Sequence, residues 1–415
     1  MPDKNVRRAA VSALRAWSKG HVYANSLVDR HARRNHLSPS DRALLNSILL
    51  GVLRNRSLLD HWIGTLRKGK LDHETRDILR VGVCQLLLLE IPDHAAVNET
   101  VSCARKPVRG LINAVLRRAV ATRKTLFSER EELPPAIRFS HPGWLCKRWK
   151  KQFGREATEA LMAWNNQPAP VIVRLNPLAP SSLDPDQEET LTPVGIDGYY
   201  ELKGLLPPSW TEGGLVYVQD PSTRLAVELL APQPGEIILD ACAAPGGKSS
   251  LIASAMKNTG VLLCTDANEK RLPRLIENLK QQHLSIAGTE VFDWTMEAPV
   301  DWHGRFDRIL LDVPCSNTGV LRRRVDARWR LRSEQIAGLG DVQQRILENA
   351  LPCLKAGGRL LYSTCALEPA ENEEQIEAFQ SAHPEIELLD SRQSLPFRDG
   401  FDGSYAALLA LRSRP

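Results

Sequence analysis

No apolar run in this chain of 415 residues is long and charge-free enough to span a bilayer, so no membrane-embedded segment is expected. The opening residues, MPDKNVRRAA, lack the apolar centre of a secretory leader, and the expected location is the cytoplasm. None of the eight cysteines forms a Cys-x-x-Cys pair, and no His-x-x-x-His accompanies them, which argues against a zinc site and leaves no metal expected. In a reducing compartment most of these cysteines should be small buried residues. There is no internal repeat and no low-complexity tract.

What is present is ordinary in bulk and uneven in distribution. Hydrophobic residues at 43% and charged residues at 25% suit a water-soluble globular protein, and the length favours two or three domains. The net charge of +5 hides an asymmetry: residues 1–130 carry 24 Lys/Arg against 11 Asp/Glu. A basic module joined to a mildly acidic one suits a polyanionic partner delivered to a separate site, although solvated helix faces can carry as many arginines.

The residues to 125 read as nearly continuous helix. Val6, Ala9, Ala10, Ala13, Leu14 and Trp17 recur at helical spacing, and Ser38-Pro39 heads an amphipathic run through Leu44, Leu45, Ile48, Leu49 and Val52. Further helices are expected over 58–66, 75–89, 95–104 and 108–120, with short links that favour a bundle. The six histidines of this part are expected as surface or cap residues. EELPP at 131–135 ends the first module. Helical spacing resumes over 140–165 with Trp144, Leu145, Trp149 and Phe153, read as core. A proline-dense stretch to 208, with one strand at 171–175, makes a small α+β connector. The expected domains are therefore 1–130, 131–213 and 214–415.

From Gly214 strands and helices alternate. Strands are expected at 216–219, 237–240, 261–266, 290–293, 308–312 and 359–364, with helices at 223–230, 249–256, 269–283, 335–354 and 370–381. This alternation predicts an α/β fold with a parallel sheet covered on both faces. A last run, 405–411, is expected as an edge strand. The stretch IILDACAAPGGKSS at 237–250 is a buried strand, a small-residue turn and a helix, the first unit of a doubly wound sheet. Gly246 and Gly247 are expected to let backbone approach a ligand. Their spacing is that of neither a P-loop nor a dinucleotide fingerprint.

Three aspartates, Asp266, Asp293 and Asp312, end successive strands. A carboxylate after the second strand can accept from both ribose hydroxyls, and one after the third can accept from an exocyclic adenine amine. Nucleoside recognition without a pyrophosphate cradle points to S-adenosylmethionine. Two cysteines, Cys315 in DVPC and Cys365 in STC, end the next two strands on the same rim. A nucleophilic thiol needs a nearby cation, which Lys248 could supply.

Taken together, DACAAPGGKSS, LLDVPCSNTGV and YSTCALEPAENEEQI resemble the RNA cytosine-C5 methyltransferases. LLGVLRN, IPDHAAVNETV and GLINAVLRR are similar to the antitermination-factor-like domain of the bacterial Fmu/Sun (RsmB-like) subfamily, which acts on small-subunit (16S) ribosomal RNA. SHPGWLCKRW, NNQPAPVIVRLN and VQDPST agree with its middle region, so the likeness covers nearly the whole chain. It implies a class I, Rossmann-like methyltransferase sheet preceded by an all-helical RNA-binding domain and the connector. It implies a cofactor loop of Cys242, Ala243, Ala244, Pro245, Gly246, Gly247 and Lys248, with Asp266 at the ribose, Asp293 at the adenine and Asp312 between cofactor and base. Cys365 would attack and Cys315 would assist release, with Lys248 and Asp312 also near the target cytosine.

Residues 317–332 (NTGVLRRRVDARWRLR) adjoin the Pro-Cys motif, and Arg322, Arg323, Arg328 and Trp329 are expected to hold RNA by phosphate contact and stacking. The carboxyl end departs from the resemblance, an insertion separating Phe401 from Tyr405, and Val313 stands where alanine is commoner. A DNA cytosine-C5 enzyme would assign the attack to Cys315 and leave Thr364-Cys365 unexplained. An amino-group methyltransferase would want an Asn/Asp-Pro-Pro-aromatic motif in place of DVPC. A noncatalytic RNA-binding factor would not need both cysteines. The expectation is a monomeric, S-adenosylmethionine-dependent ribosomal RNA methyltransferase.

Overall fold

Asn5, Ser38 and Asp72 each accept a backbone N–H with the side chain, from Arg8 at 3.1 Å, Asp41 at 3.1 Å and Thr75 at 2.9 Å, and so start three helices. The computed structural model describes residues 5–20 and 22–412. Its first unit holds α1 (Val6–Ser18), α2 (Ala24–Arg34), α3 (Pro39–Arg54), α4 (Arg56–Leu66), α5 (His73–Leu87), α6 (Asp93–Ser102), α7 (Lys106–Ala121), α8 (Arg123–Glu132), α9 (Pro135–Arg138) and α10 (Gly143–Asn166). Apolar stripes at helical spacing close on one core that includes Leu45, Ile48, Leu49, Leu59, Trp62, Leu79 and Leu116. Trp149 and Leu145 are fully buried, as expected. His31 is not at the surface: it is buried in α2, where burial and then Arg34 and Arg30 lower its pKa. His21 lies outside the described residues.

The second unit begins with β1 (Ile172–Leu175), α11 (Pro185–Glu188), β2 (Leu191–Pro193), β3 (Tyr199–Leu202), α12 (Pro208–Glu212) and β4 (Val216–Val218). These strands form an antiparallel sheet of order β2-β3-β1-β4. The run at 216–219, expected to open the α/β domain, belongs instead to this small sheet. The main sheet follows with α13 (Arg224–Leu230), β5 (Ile237–Asp240), α14 (Gly247–Ala255), β6 (Val261–Asp266), α15 (Leu272–Gln281), β7 (Ala287–Val291), β8 (Phe306–Asp312), α16 (Ala327–Arg330), α17 (Ser333–Ala350), β9 (Leu354–Thr364), α18 (Glu373–Ala382), β10 (Ile386–Ser394), α19 (Pro396–Asp399) and β11 (Ser404–Leu411).

Its order is β10-β11-β9-β8-β5-β6-β7, parallel from β7 to β9, with β11 antiparallel to both neighbours. The last strand is therefore interior, and the edge is β10, which the sequence reading omitted. Buried Leu239, Ile309, Leu311 and Leu360 form part of one core, and Ile238, Leu262, Leu310 and Leu361 part of another. Strands covered on both faces are apolar throughout. The order reverses at β5, whose neighbours are β6 and β8, and that reversal makes the crevice at the strands' carboxyl ends.

The compact units do not divide at residues 130 and 213. The helical unit runs on to Gln167, and it takes back Leu321–Leu331 from the middle of the α/β chain. Inside the helical unit this strap is bound at every turn. Asp326 Oδ2 accepts from Ala24 N at the head of α2 (2.9 Å) and from Trp17 Nε1 (3.3 Å). Arg328 is fully buried and donates to Asn166 Oδ1 at 2.7 Å and to Asn165 O at 3.0 Å. Trp329 Nε1 donates to Leu53 O at 2.7 Å. Asp326→Ala leaves two buried donors without an acceptor and is expected to lower stability by about 2–4 kcal/mol, whereas Asp326→Asn, which keeps one carbonyl, should lose less. Urea unfolding followed by tryptophan fluorescence checks the difference.

Candidate active site

The site is assembled by four strands ending on one rim. After β5, Ala243 N donates to Thr265 O at 2.8 Å and Gly246 N to Ala243 O at 2.7 Å, closing the turn that leads into α14. Asn278 of α15 donates to Pro245 O at 2.7 Å, and Arg271 donates to Ala244 O. Gly246 has φ +103°, and a Cβ there would lie 3.0 Å from Leu275; a Cβ on Gly247 would lie 3.0 Å from Gln219 Nε2 and 3.2 Å from Tyr217 Cε1. The glycines are thus required by the protein's own packing, not only by ligand approach. Tyr217 and Gln219 come from β4 and its end, so the small sheet braces the loop. Arg174 of β1 adds to this brace, donating to Gln219 Oε1 at 2.9 Å and to Ser250 Oγ at 2.6 Å. Arg174 and Gln219 lie in NNQPAPVIVRLN and VQDPST, but nothing in the spacing of these residues ties them to a loop roughly 30 to 70 positions further on.

Asp240, ending β5, is fully buried: Ser249 Oγ donates to Oδ2 at 2.7 Å, while Oδ1 has no hydrogen-bond partner among the described residues. Asp266, ending β6, is nearly as buried. Its Oδ1 accepts from Asn268 N at 2.9 Å, and its Oδ2 lies 2.8 Å from Arg271 Nη1 without an aligned hydrogen bond. Asp293 falls two residues beyond the end of β7 and is exposed; Oδ1 accepts from Thr295 N and Oγ1. Asp312, ending β8, forms an ion pair with Lys248 Nζ at 2.7 Å. Burial alone would lower the Lys248 ammonium, but Asp312 outweighs it and the pKa is raised, so Lys248 is a cation at neutral pH.

Beyond β8 and β9 the two cysteine loops lock together. Parallel pairing sets Asp312 opposite Ser363, and Cys315 Sγ stands 3.2 Å from Cys365 Sγ. Gly319 N donates to Cys365 O at 2.9 Å, Gly403 N to Gly319 O at 2.8 Å and Leu367 N to Thr318 Oγ1 at 2.9 Å. A Cβ on Gly319 would lie 2.6 Å from Gly403 O, and one on Gly403 2.7 Å from Gly319 Cα, so two glycines pack back to back. The turn leading into β11 is what delivers Gly403. Cys365 and Lys248 line a cavity of about 50 Å³ with Asp220, Ser363, Asp402 and Tyr405.

Below the loops lies a buried polar layer. Glu371 Oε1 accepts from Ser316 N at 2.8 Å and from Gln343 Nε2 at 3.1 Å, and burial raises its pKa. Asn372 accepts from Thr364 Oγ1 at 2.6 Å and donates to Ala366 O at 3.0 Å. Both sit in the EPAEN stretch, where a run of glutamates reads as a solvated helix start and gives no sign that these two are buried. The Cys315 thiol is held well above its ordinary value by its hydrogen bond with Cys365, then by burial and by the charges of Cys365 and Glu371.

The expected RNA-contact residues are a different matter. Arg328, buried among Ser140, Asn165 and Asn166, and Trp329, bound to Leu53 O, serve to fasten the strap within the helical unit, which corrects the reading of them as an RNA-facing loop. The Arg322 guanidinium stacks 4.1 Å over Trp164, and Arg323 is half-buried. Arginine in a charged run looks solvated until distant carbonyls are known to enclose it.

A seven-stranded sheet in this order, with one antiparallel strand inserted beside the last parallel one and a glycine turn after its central strand, defines a Rossmann-like methyltransferase. Residues 227–407 match the family described as 16S rRNA methyltransferase RsmB/F, residues 4–121 the NusB family, and residues 141–184 an RsmF/B-like ferredoxin-like domain. Ribosomal RNA small subunit methyltransferase B of Vibrio cholerae is 37% identical across 98% of this chain and 97% of its own length. The protein of that name from Citrobacter koseri is 37% identical over 99% of each. Among solved structures, PH0851 superposes with a TM-score of 0.78 at 25% identity over 98% of both chains. A methyltransferase homologue from Pyrococcus horikoshii covers 66% of this chain and 97% of its own, with a TM-score of 0.54 at 27% identity. The chain belongs to the RsmB/F family of 16S ribosomal RNA methyltransferases. Among the described residues no helix is long and apolar enough to cross a membrane, and no group of three His, Cys, Asp or Glu could hold a metal ion.

The buried Asp240 gives a pH signature. Burial, and then Asp312 and Asp266, raise its pKa to about 7 from 3.8, against the hydrogen bond from Ser249. Between those values the folded protein keeps a proton that the unfolded chain has lost, so this carboxyl subtracts stability as pH rises from about 4 to about 7. Asp240→Asn is therefore expected to exceed the native protein in stability by roughly 2–4 kcal/mol at pH 8, the gap shrinking towards pH 4. Thermal unfolding across that range checks it.

Proposed function

We propose that the protein transfers a methyl group to C5 of a cytosine in small-subunit ribosomal RNA, with Cys365 as nucleophile and Cys315 as the group that assists release. The observation that carries this reading is the pair of thiols 3.2 Å apart beside the Lys248–Asp312 ion pair. The rim also suits S-adenosylmethionine: the loop from Cys242 to Lys248 would hold it at the head of α14, with Asp266, Asp293 and Asp312 as acceptor-only carboxylates. The Oδ2 of Asp266, buried without an aligned donor, fits a ribose hydroxyl. When bound, that cofactor supplies an electrophilic methyl.

Cytosine C5 is a weak nucleophile. A Cys365 thiolate adding to C6 forms a C–S bond and moves the C5–C6 electron pair onto C5, so one hard step becomes two easier ones. The Lys248 cation lines the same cavity as Cys365. Cys315 stays protonated while Cys365 is free, because the hydrogen bond and charge of Cys365 both oppose its ionisation. Once Cys365 is a thioether its share of that opposition is gone and only burial and Glu371 still hold the proton; Cys315 gives that proton to solvent and then takes the one from C5. The C5–H electrons restore the ring double bond as the C–S bond breaks and its pair returns to Cys365. The base must be presented unstacked.

The helical unit supports an electrostatic role in holding RNA. A cleft of about 990 Å³ there is lined by Arg8, Arg15, Lys19, Arg30, Arg56 and Arg76, with Glu74 and Asp77 as its carboxylates. Among the described residues no carboxylate forms an ion pair with Lys19, Arg30, Arg56 or Arg76. Affinity for RNA should fall on the order of 100-fold between 50 and 200 mM salt if about four phosphates are neutralised. Filter binding across that range measures the slope, and a flat line contradicts docking of this kind.

The chemical test is a denaturing gel of variants mixed with cofactor and small-subunit RNA. Cys315→Ala is expected to accumulate a covalent protein–RNA adduct, and Cys365→Ala to form none and to leave the RNA unmethylated. The reverse pattern assigns the attack to Cys315.

A further inference from the structure

Between the two cysteines stands a residue that neither role accounts for. Asn317 follows Cys315 by two positions and holds φ at +59°, a conformation that asparagine adopts more readily than most residues. Its side chain spans both loops. Nδ2 donates to Cys315 O at 2.7 Å, and Oδ1 accepts from Cys365 Sγ at 3.4 Å. The first bond fixes which end of the amide faces the second thiol, because only the NH₂ can donate to a carbonyl. The group turned to Cys365 is therefore an acceptor.

An acceptor favours the protonated thiol and opposes the thiolate. We propose that Asn317 is a positioning residue that keeps Cys365 in its thiol form and aims it, through the side-chain carbonyl, until a substrate base displaces that contact. The meaning of this for catalysis rests on the reading of Cys365 as nucleophile. The other titratable groups around Cys365 are Lys248 with its partner Asp312, Cys315, and across the small cavity Asp220, Asp402 and Tyr405. Lys248 brings a positive charge to this cluster, and the carboxylates bring negative ones. Asn317 differs from the charged groups in being neutral and in direct hydrogen-bond contact, and from Cys315, which also touches the sulfur, in having no proton to lose. Its influence is therefore short-ranged and lost when the sulfur moves, unlike that of a charge. A thiol held this way is less open to adventitious alkylation or oxidation when no RNA is bound.

The experiment is the pH dependence of iodoacetamide alkylation at Cys365 in the full-length protein without RNA, the site being assigned by peptide mass. Asn317→Gly removes the carbonyl yet keeps a backbone free to hold positive φ, and Asn317→Asp puts an anionic acceptor in the same place. Asn317→Gly is expected to shift the alkylation midpoint down and to speed reaction at pH 7 roughly three- to tenfold, the worth of one neutral hydrogen bond. Asn317→Asp is expected to shift the midpoint up and slow the reaction. Opposite shifts support the proposal. Unchanged midpoints, or shifts in the same direction from a merely loosened loop, overturn it. If the midpoints shift as expected but Cys365→Ala still methylates RNA, the control of the thiol stands and the catalytic reading fails.

Discussion

Parallel pairing of β8 with β9 is the constraint on which the site depends. With Asp312 opposite Ser363, the chain leaves both strands at the same height, and each needs only two or three further residues to reach a cysteine. Pairing alone would leave two mobile loops. What fixes their separation is the contact of Gly319 with Gly403, where backbone meets backbone at a distance that no side chain could share. The strand inserted antiparallel beside β9 carries Gly403 to that point, so β11 completes the site although none of its residues need touch substrate. The Glu371 carboxylate beneath Ser316 holds the Cys315 loop from the other side.

This architecture makes two like side chains unlike in behaviour. Cys315 is half-buried, hydrogen-bonded to Cys365 and near the buried Glu371, and these hold its proton on. Cys365 faces an ammonium that Asp312 keeps charged. Pairs of titratable groups whose surroundings push them apart divide acid and base duties between them. In the proposed mechanism that division follows from which loop lies over Glu371 and which lies beside Lys248. Exchanging the residues' identities would change nothing, and exchanging their neighbours would change everything.

Much of this was legible beforehand because it follows from local rules. Asp266, Asp312, the glycine turn and both cysteines stand where apolar runs stop, and the parallel pairing of the main strands follows from alternation with helices. Other parts depend on partners far along the chain. Arg328 reads as a solvated cation in RRRVDARWR, yet carbonyls of residues 140 and 165 enclose it. β10, IELLDSRQS, is largely exposed and carries little apolar signal, so the edge of the sheet was assigned to β11 instead. The strap from Leu321 to Leu331 could not be separated from its neighbours by composition, since its place in the helical unit is decided by Asp326 meeting Trp17 and Ala24 some 300 positions away. The brace of Arg174, Tyr217 and Gln219 on the glycine loop after β5 is non-local in the same way.

The account turns on which sulfur bonds to the base, and that can be observed directly. Small-subunit RNA carrying 5-fluorocytidine at the methylated position offers C6 to attack but has no C5 proton to surrender, so the adduct persists once the methyl is in place. Digestion of the trapped complex and mass mapping of the modified peptide is the measurement to make. The account predicts the nucleotide on Cys365. A nucleotide on Cys315, or methylation of ordinary RNA with no adduct formed by the fluorinated one, contradicts it.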